Sequence, residues 1–434
     1  MLNNSKQYLG KVFTRMKKIE NKLIDECVYE EKLKNGMTIL ISPKHNTSKK
    51  YIIWGTKFGS LDNHFIEPAT GKEIKVPDGV AHYLEHKMFE QESGVDSLYT
   101  MMALGLDANA YTTNDHTAYL FGGIDNFYKG LDELMDYVQH PYFTDKNVEK
   151  ERGIIGQEIQ LYDDQPMWKL YLNAMKCLYK NNAIRLDVAG TVESISHITK
   201  ETLYSCYNTF YHPSNMVMCI AGDFEPEKIV EEVKKRLLPR EKMSEIKRIY
   251  PEEEKDINKK IMESKMDINM PLFMIGYRDF GGKSNQPKKE LAIKIILNSL
   301  IGECSDTFQS LYNEGLLMKP LECDFEYSDQ YSHVIIDGES ENPEKVYQTI
   351  IEKLENGKIL EEEFERSRKS ILGDIVCSFD DVEDIGRNLL TNKIRGVNYL
   401  QYADEIQNIT FEYVQKIQKE IFAKEKAILS VVRK

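Results

Sequence analysis

The chain has 434 residues, of which 41% are hydrophobic and 29% are charged, and its formal net charge is −13. This length predicts at least two domains, and the composition excludes a fibrous or disordered chain. An acidic chain without a dense block of lysine and arginine also excludes nucleic acid as the expected partner.

No stretch has the length and apolar character of a membrane span, and residues 1–22 lack the apolar run of a secretory signal. We therefore expect a cytoplasmic protein without membrane contact; a short organellar presequence is the alternative for the basic start. The seven cysteines are scattered and form no Cys-x-x-Cys pair, which predicts reduced, mostly buried thiols and neither a cysteine metal site nor a thiol nucleophile.

The first predicted elements are strands. Asn35-Gly36, within residues 29–42, is typical of a hairpin, since this dipeptide readily adopts the positive φ values of a tight turn. Another strand is predicted over residues 51–58. Asp78 predicts the N-cap of a helix over residues 80–90, because its side chain can accept from the free N–H groups of the first turn.

Two further elements follow. Residues 107–122 alternate in polarity and predict a strand, whereas residues 147–162 have helical periodicity that ends before Pro166. Strands and helices alternate without the regular spacing of βαβ units. The predicted fold class is therefore α+β.

The two halves of the chain resemble each other at an offset of about 211 residues. Ile198-Thr199-x-Glu201 recurs as Ile409-Thr410-x-Glu412, and the strand predicted over residues 216–220 corresponds to residues 427–431. Two homologous domains explain this repeat, and we expect each to be a mostly antiparallel sheet packed with helices.

The predicted domains are residues 1–239, which would bind the metal ion, and residues 261–434, a metal-free repeat. Residues 240–260 are dense in charge and are predicted to be the linker. The alternative is a single larger domain in which this segment is the solvated face of a helix.

The motif that carries the chemistry is His82-Tyr83-Leu84-Glu85-His86, inside the first predicted helix. Residues four apart lie on the same helix face, so His82 and His86 can bind one ion. Glu85 projects about 100° from His86, which places it to take the proton from a metal-bound water as general base. Such a pentad occurs by chance roughly 0.03 times in a chain of this composition, so coincidence is the minor alternative.

A catalytic zinc site needs a third protein ligand. Glu151 and Glu158 lie seven residues apart on one face of the helix predicted over residues 147–162. We predict Glu158 as the ligand and Glu151 as the carboxylate that orients the ligands. Manganese or cobalt in place of zinc stays open.

The order His-x-x-Glu-His resembles the inverzincin signature of the insulinase/pitrilysin family of zinc metallopeptidases. Residues 79–89 fit the family block closely, and residues 151–158 resemble its glutamate helix, in which the later Glu binds zinc and the earlier one assists. Within the family the pattern is most similar to the bacterial peptidases of the YmfH type. Asp374 stands where the second half would need a counterpart of Glu158, so the resemblance implies one zinc ion per chain.

The resemblance also implies substrate-binding residues. Asn109 and Ala110 resemble the edge strand that pairs with a bound peptide. Family members carry an Arg and a Tyr around a Gly-Leu pair in the second half, where they hold the substrate carbonyl, but residues 311–318 contain neither in its expected place. Tyr312 is the candidate replacement, and a structural role for it is equally compatible with the pattern.

Finally, the resemblance implies a closed chamber of four related domains, of which this chain supplies two. We therefore expect a homodimer, or a heterodimer with a related metal-free chain. The predicted function is a zinc-dependent endopeptidase for short or unfolded peptides. The alternative is a catalytically silent subunit that binds peptides or supports a heteromeric processing complex.

Overall fold

A computed structural model describes residues 16–279 and 286–434 of the chain; most of the N-terminal segment considered above lies outside them. The strands are β1 Lys17–Asn21, β2 Glu26–Lys32, β3 Thr38–Pro43, β4 Lys50–Thr56, β5 His64–Ile66, β6 Glu73–Lys75, β7 Asp107–Thr112, β8 Thr117–Gly123, β9 Met216–Gly222, β10 Lys247–Arg248, β11 Ile261–Lys265, β12 Leu272–Arg278, β13 Glu322–Tyr327, β14 Ser332–Glu339 and β15 Ala427–Arg433. The helices are α1 Val80–Lys87, α2 Ser97–Ala103, α3 Phe127–Gln139, α4 Asp145–Asp163, α5 Pro166–Leu178, α6 Val192–Ser196, α7 Lys200–Phe210, α8 Pro226–Arg236, α9 Gln286–Leu300, α10 Asp306–Asn313, α11 Pro343–Asn356, α12 Glu361–Cys377, α13 Val382–Ile394, α14 Gln401–Asn408 and α15 Phe411–Ile421.

Two large sheets organise the fold, one in each half of the chain. The first has seven strands in the order β1-β2-β3-β9-β4-β8-β7, and the second has five in the order β11-β15-β12-β14-β13. Neighbouring strands are antiparallel except for β3 with β9 and β11 with β15. Helices cover these sheets, so the predicted α+β class with mostly antiparallel sheets is confirmed.

The predicted repeat is confirmed by equivalent elements in the two halves. Thr199 and Thr410 each cap a helix with the side-chain oxygen, α7 and α15 respectively, because a threonine at this position satisfies an N–H group of the first turn. Each of these helices leads into a central strand of its own sheet, β9 in the first and β15 in the second. The protein therefore consists of two homologous units.

The two units exchange a helix. α5, from the first half, packs on β12 and β15 of the second sheet, and α13, from the second half, packs on β4 and β9 of the first. A glycine makes room in each case: a Cβ at Gly55 would lie 2.8 Å from the Leu390 methyl carbons, and a Cβ at Gly276 would lie 3.0 Å from Leu178 Cδ1. Apolar residues of both halves consequently share one core cluster.

The segment predicted to be the linker is anchored along its length. Arg248 donates from Nε to the buried carboxylate of Asp62 at 2.9 Å, while β10 pairs with β5. Farther on, the Glu253 carboxylate accepts from the backbone N–H groups of residues 180–182. The limits of the two domains stay a prediction, because the exchanged helices cross any boundary drawn in this segment.

Three local predictions were wrong. Asp78 does not cap α1: Gly79 is the N-cap residue, and Asp78 Oδ1 instead accepts from Asn63 Nδ2 at 2.7 Å. α1 ends at Lys87, three residues before the predicted end. Residues 107–122 form two antiparallel strands, β7 and β8, because the chain turns back at residues 113–116, where Thr113 N donates to His116 O.

All seven cysteines are free, as predicted, but only Cys177, Cys206 and Cys219 are buried, so the expectation of mostly buried thiols was wrong. Within the described ranges, no helix combines the length and apolar character needed to cross a bilayer.

Candidate metal centre

The position of α1 depends on a close backbone contact at its first turn. Gly79 has φ 90°, and a Cβ there would lie 2.3 Å from the carbonyl oxygen of Ala189, so only glycine fits. Farther along the helix, the buried Tyr83 hydroxyl donates to the carbonyl of Val148 in α4. The first contact fixes the start of α1 against the segment before α6, and the second joins α1 to α4.

His82, His86 and Glu158 come together between α1 and α4. His82 Nε2 lies 3.7 Å from Glu158 Oε1, and His86 Nε2 lies 3.3 Å from Glu158 Oε2. One ligand atom from each residue lies within 4.8 Å of the others, and all three side chains are partly exposed. The structure thus brings together the three residues predicted as ligands.

The spacing of these atoms fits zinc. Two ligands at about 2.0–2.2 Å from a tetrahedral ion are about 3.3–3.6 Å apart. The two histidine–Glu158 separations, 3.7 and 3.3 Å to different carboxylate oxygens, are close to this range. Two imidazoles and one carboxylate also match the donor set of catalytic zinc sites that keep one open position. We infer that these side chains can hold the ion without rearrangement of the helices.

Glu151, seven residues or two helical turns before Glu158, contacts His86 on the side away from Glu158. Its Oε1 accepts from His86 Nδ1 at 3.1 Å, which leaves His86 Nε2 directed at Glu158. Its Oε2 lies 3.5 Å from Nζ of Lys87, a fully buried lysine that also donates to Glu90. A carboxylate that fixes the tautomer and orientation of a histidine is typical of metal sites.

The electrostatics of the cluster favour a cation. Burial, followed by the charge on His86, lowers the pKa of His82 to about 4. Burial also opposes charge on His86, but its hydrogen bonds with Glu151 and Glu158 outweigh that effect and raise its pKa to about 10. At neutral pH His82 is therefore uncharged, while His86 carries a positive charge between the carboxylates of Glu151 and Glu158.

Glu85 lies on the same helix as His82 and His86, and the residue is buried, with 8% of its surface exposed. Thr112, the last residue of β7, donates from Oγ1 to Glu85 Oε2 at 2.6 Å. Burial raises the pKa of Glu85, and the hydrogen bond with Thr112 acts in the opposite direction. A hydrogen bond from β7 of the first sheet thus holds the Glu85 carboxylate beside the cluster.

Thr112, Lys87 and Tyr162 also belong to this site, although they were not among the residues predicted for it. The Tyr162 hydroxyl hydrogen-bonds to Glu158, which contributes to the lowered pKa of that carboxyl. Tyr162 lies four residues after Glu158, a spacing that could have revealed it. Nothing local in the sequence connects Thr112 to Glu85, since β7 and α1 meet only through tertiary packing.

The predicted peptide-binding residues occupy different places. Asn109 and Ala110 lie in β7, which pairs with β8 on one side and is the edge of the first sheet. Tyr312 lies on α10, is 49% exposed, and packs its ring against Phe308 at a centroid distance of 6.0 Å. The functional roles of these residues stay predictions.

A cavity of about 850 Å³ lies between the two halves, and Thr112 is among its lining residues. An aromatic row leads into it from the cluster: Tyr162 contacts Trp168, and Trp168 stacks on Tyr171. Tyr171 donates to Glu326 of the second sheet at 3.2 Å. The cavity is therefore lined by both homologous units, and one of its lining residues, Thr112, hydrogen-bonds to Glu85 beside the cluster.

The fold and the cluster define a class of protein: two homologous α+β units with the donor set of a zinc peptidase. Comparison with known proteins agrees. Residues 72–192 match the model for insulinase, peptidase family M16, and residues 197–371 match the model for the peptidase M16 inactive domain. The uncharacterized zinc protease YmfH of Bacillus subtilis is 37% identical over 432 residues, which cover 96% of this chain and 100% of that protein. The chain belongs to the M16 family of zinc proteases.

Solved structures have the same architecture. A putative M16-like peptidase from Alicyclobacillus acidocaldarius superposes with a TM-score of 0.89 at 33% identity, covering 94% of this chain and 99% of that chain. Pitrilysin has the same fold at a TM-score of 0.73 and 15% identity, with 96% of this chain but only 46% of pitrilysin covered. The predicted family, its similarity to YmfH and the fold of two homologous units are confirmed.

Proposed function

We propose that the chain is a zinc metalloendopeptidase that hydrolyses short or unfolded peptides. The observation that carries the proposal is the cluster of His82, His86 and Glu158 beside the buried carboxylate of Glu85. Membership of a family of zinc proteases supports it.

The substrate docks as an added strand. β7 is the edge of the first sheet, so an extended peptide can pair with its outward backbone groups around Asn109 and Ala110. The Ala110 N–H donates to Asn109 Oδ1 at 2.8 Å, and pairing through this N–H would replace that contact. Because β7 ends at Thr112, which contacts Glu85, a peptide paired with it passes the cluster. Recognition through the backbone selects extended, flexible chains, and the cavity between the halves receives the rest of the peptide.

The chain's own residues divide the chemistry. Zinc, when bound by His82, His86 and Glu158, supplies the Lewis acidity that activates water and polarises the peptide carbonyl. The Glu85 carboxylate accepts the proton that water loses as its oxygen attacks the carbonyl carbon. Glu85 then returns a proton to the leaving nitrogen as the C–N bond breaks. Its raised pKa favours this exchange, because burial makes the carboxylate a stronger base.

A second chain closes the chamber, as either an identical copy or a metal-free relative. Two facts support this part of the proposal. Pitrilysin, with the same fold, is about twice as long as the stretch that this chain matches. Residues 311–318 also have neither an Arg nor a Tyr in the expected place, so the partner could supply the groups that hold the substrate carbonyl.

The test combines metal content with hydrolysis of a quenched fluorescent peptide library, for the chain alone and with any co-purifying partner. Glu85→Gln keeps the shape of the side chain but removes the base, so cleavage should fall roughly 100- to 10,000-fold. The matched control is Glu92→Gln, at an exposed position in the loop after α1, which should cleave like the wild type.

Near one zinc ion per chain in all three proteins, with cleavage lost only in Glu85→Gln, is the expected result. Zinc without cleavage, even with the partner present, would instead favour the catalytically silent subunit. A wild-type chain that binds no zinc would refute the proposal.

A further inference from the structure

The hydroxyl of Thr112 has one proton, and its surroundings decide where that proton goes. Thr112 Oγ1 lies 2.6 Å from Glu85 Oε2 and 3.3 Å from Thr117 Oγ1. Thr117 is fully buried and donates its own proton to the carbonyl of Phe58 at 2.9 Å. Both neighbours of Thr112 therefore act as acceptors, and the shorter contact to a carboxylate is the stronger one.

The strand that carries Thr112 is itself held from the second half of the chain. The guanidinium of Arg387, on the exchanged helix α13, lies 5.3 Å from the ring centroid of Tyr111 and hydrogen-bonds to that side chain. On the other face of β7, the Thr112 side chain points to α1. β7 is thus clamped between the two halves, while its outer edge stays available for pairing.

We propose that Thr112 is a positioning residue for Glu85: its hydroxyl holds Oε2 and leaves Oε1 as the atom that exchanges the proton. Because the same strand would pair with the peptide, the orientation of the base and the docking of the substrate depend on one element. This inference rests on the proposed function and adds to it the residue that orients the general base. A held carboxylate loses little freedom when the substrate arrives, which is how positioned groups raise rates.

The experiment compares Thr112→Val, which keeps the shape of the side chain without the hydroxyl, with Thr112→Ser, which keeps the hydroxyl. A hydrogen bond to a charged group is strong enough that kcat should fall about 10- to 100-fold in Thr112→Val, with KM within about twofold. Thr112→Ser should recover kcat to within about threefold. Zinc content should match the wild type in both variants, because neither change touches a ligand, and any fall in Tm in Thr112→Val should be restored in Thr112→Ser.

Two further variants separate positioning from general effects. Thr70→Val removes another threonine-to-glutamate hydrogen bond, to Glu67 on the surface, and should leave kcat unchanged. In a Glu85→Gln background, Thr112→Val should add no more than about a twofold loss, since a positioning residue has no effect once its target is gone.

An unchanged kcat in Thr112→Val would overturn the inference while leaving the peptidase intact. So would a change confined to KM, which would assign Thr112 to docking alone. A loss of zinc or of Tm that Thr112→Ser does not restore would mean a structural role and would also overturn it. A wild-type chain that cleaves no peptide in its complete assembly would refute the proposed function itself, and this inference with it.

Discussion

Replacing Glu151 by Gln should weaken zinc binding without removing a ligand. Glu151 Oε1 accepts from His86 Nδ1 at 3.1 Å, and a glutamine oxygen can keep that contact but lacks the negative charge. The imidazole then becomes a poorer donor to the metal ion. Loss of a carboxylate behind a metal-binding histidine typically costs 10- to 100-fold in affinity, or about 1.4–2.7 kcal/mol.

The assay is competition for zinc with a chromogenic chelator at fixed pH and ionic strength. The matched control is Glu149→Gln, which removes the same charge from the same helix at an exposed position, where Glu149 pairs with Arg152. Solvent screens that charge, so the control should bind zinc within about twofold of the wild type. Lys87 keeps its contact with Glu90 in the Glu151 variant, and far-UV circular dichroism should confirm that the fold is retained.

Equal zinc affinity in Glu151→Gln and Glu149→Gln would contradict this prediction. That result would mean that the charge of Glu151 does not reach the metal through His86. Glu158→Gln, which removes a ligand oxygen charge directly, should lose more affinity than either, and it provides the scale for the comparison.

Three other predictions concern protons, the linker and the start of α1. The pKa of His86 is about 10 and that of His82 about 4, so zinc binding should displace one proton, from His86, at pH 7–8. The zinc affinity should therefore rise about tenfold per pH unit in this range. Calorimetry in two buffers that differ in ionisation enthalpy tests this, and equal binding enthalpies in both buffers would contradict it. Glu253→Gln should lower the free energy of unfolding by about 1.5–3 kcal/mol at pH 7. Burial opposes the charge on Glu253, but the backbone hydrogen bonds outweigh it and lower its pKa in the folded state. The stabilisation of the fold by this carboxylate is therefore present above the unfolded pKa near 4.3 and is lost as the pH falls through the lower folded pKa. Urea unfolding that showed the same loss for Glu253→Gln at pH 7 and pH 3 would contradict this prediction. Gly79→Ala should lower the free energy of unfolding by about 1–3 kcal/mol and reduce the zinc content. Alanine is strained at φ 90°, and its Cβ would overlap the carbonyl oxygen of Ala189. An unchanged Tm would contradict this prediction.

Local patterns in the sequence were sufficient for the motifs that a single helix contains. His82, Glu85 and His86 follow from the helical repeat alone, and so does the shared face of Glu151 and Glu158. The capped helices at Thr199 and Thr410 likewise made the repeat visible, since an N-cap depends on residues within one turn. These features are decided by contacts between near neighbours in the chain.

Other features depend on contacts between distant segments, for which the sequence carries no local signal. Asp78 has the residue type of an N-cap, but Asn63 binds its side chain and Gly79 takes the cap position because Ala189 approaches too closely for a Cβ. The exchange of α5 and α13 could not be predicted, since an amphipathic helix packs equally well on either of two similar sheets.

The site itself shows the same division. The sequence alone determined which residues can bind zinc, because ligand type and helical spacing are local properties. Only the tertiary structure decided that α1, α4 and β7 meet, and with them Glu158, Glu85 and Thr112. That meeting depends on packing between side chains that are 27 residues apart for Glu85 and Thr112 and 76 apart for His82 and Glu158. Over such distances shape and burial, not sequence spacing, select the neighbours.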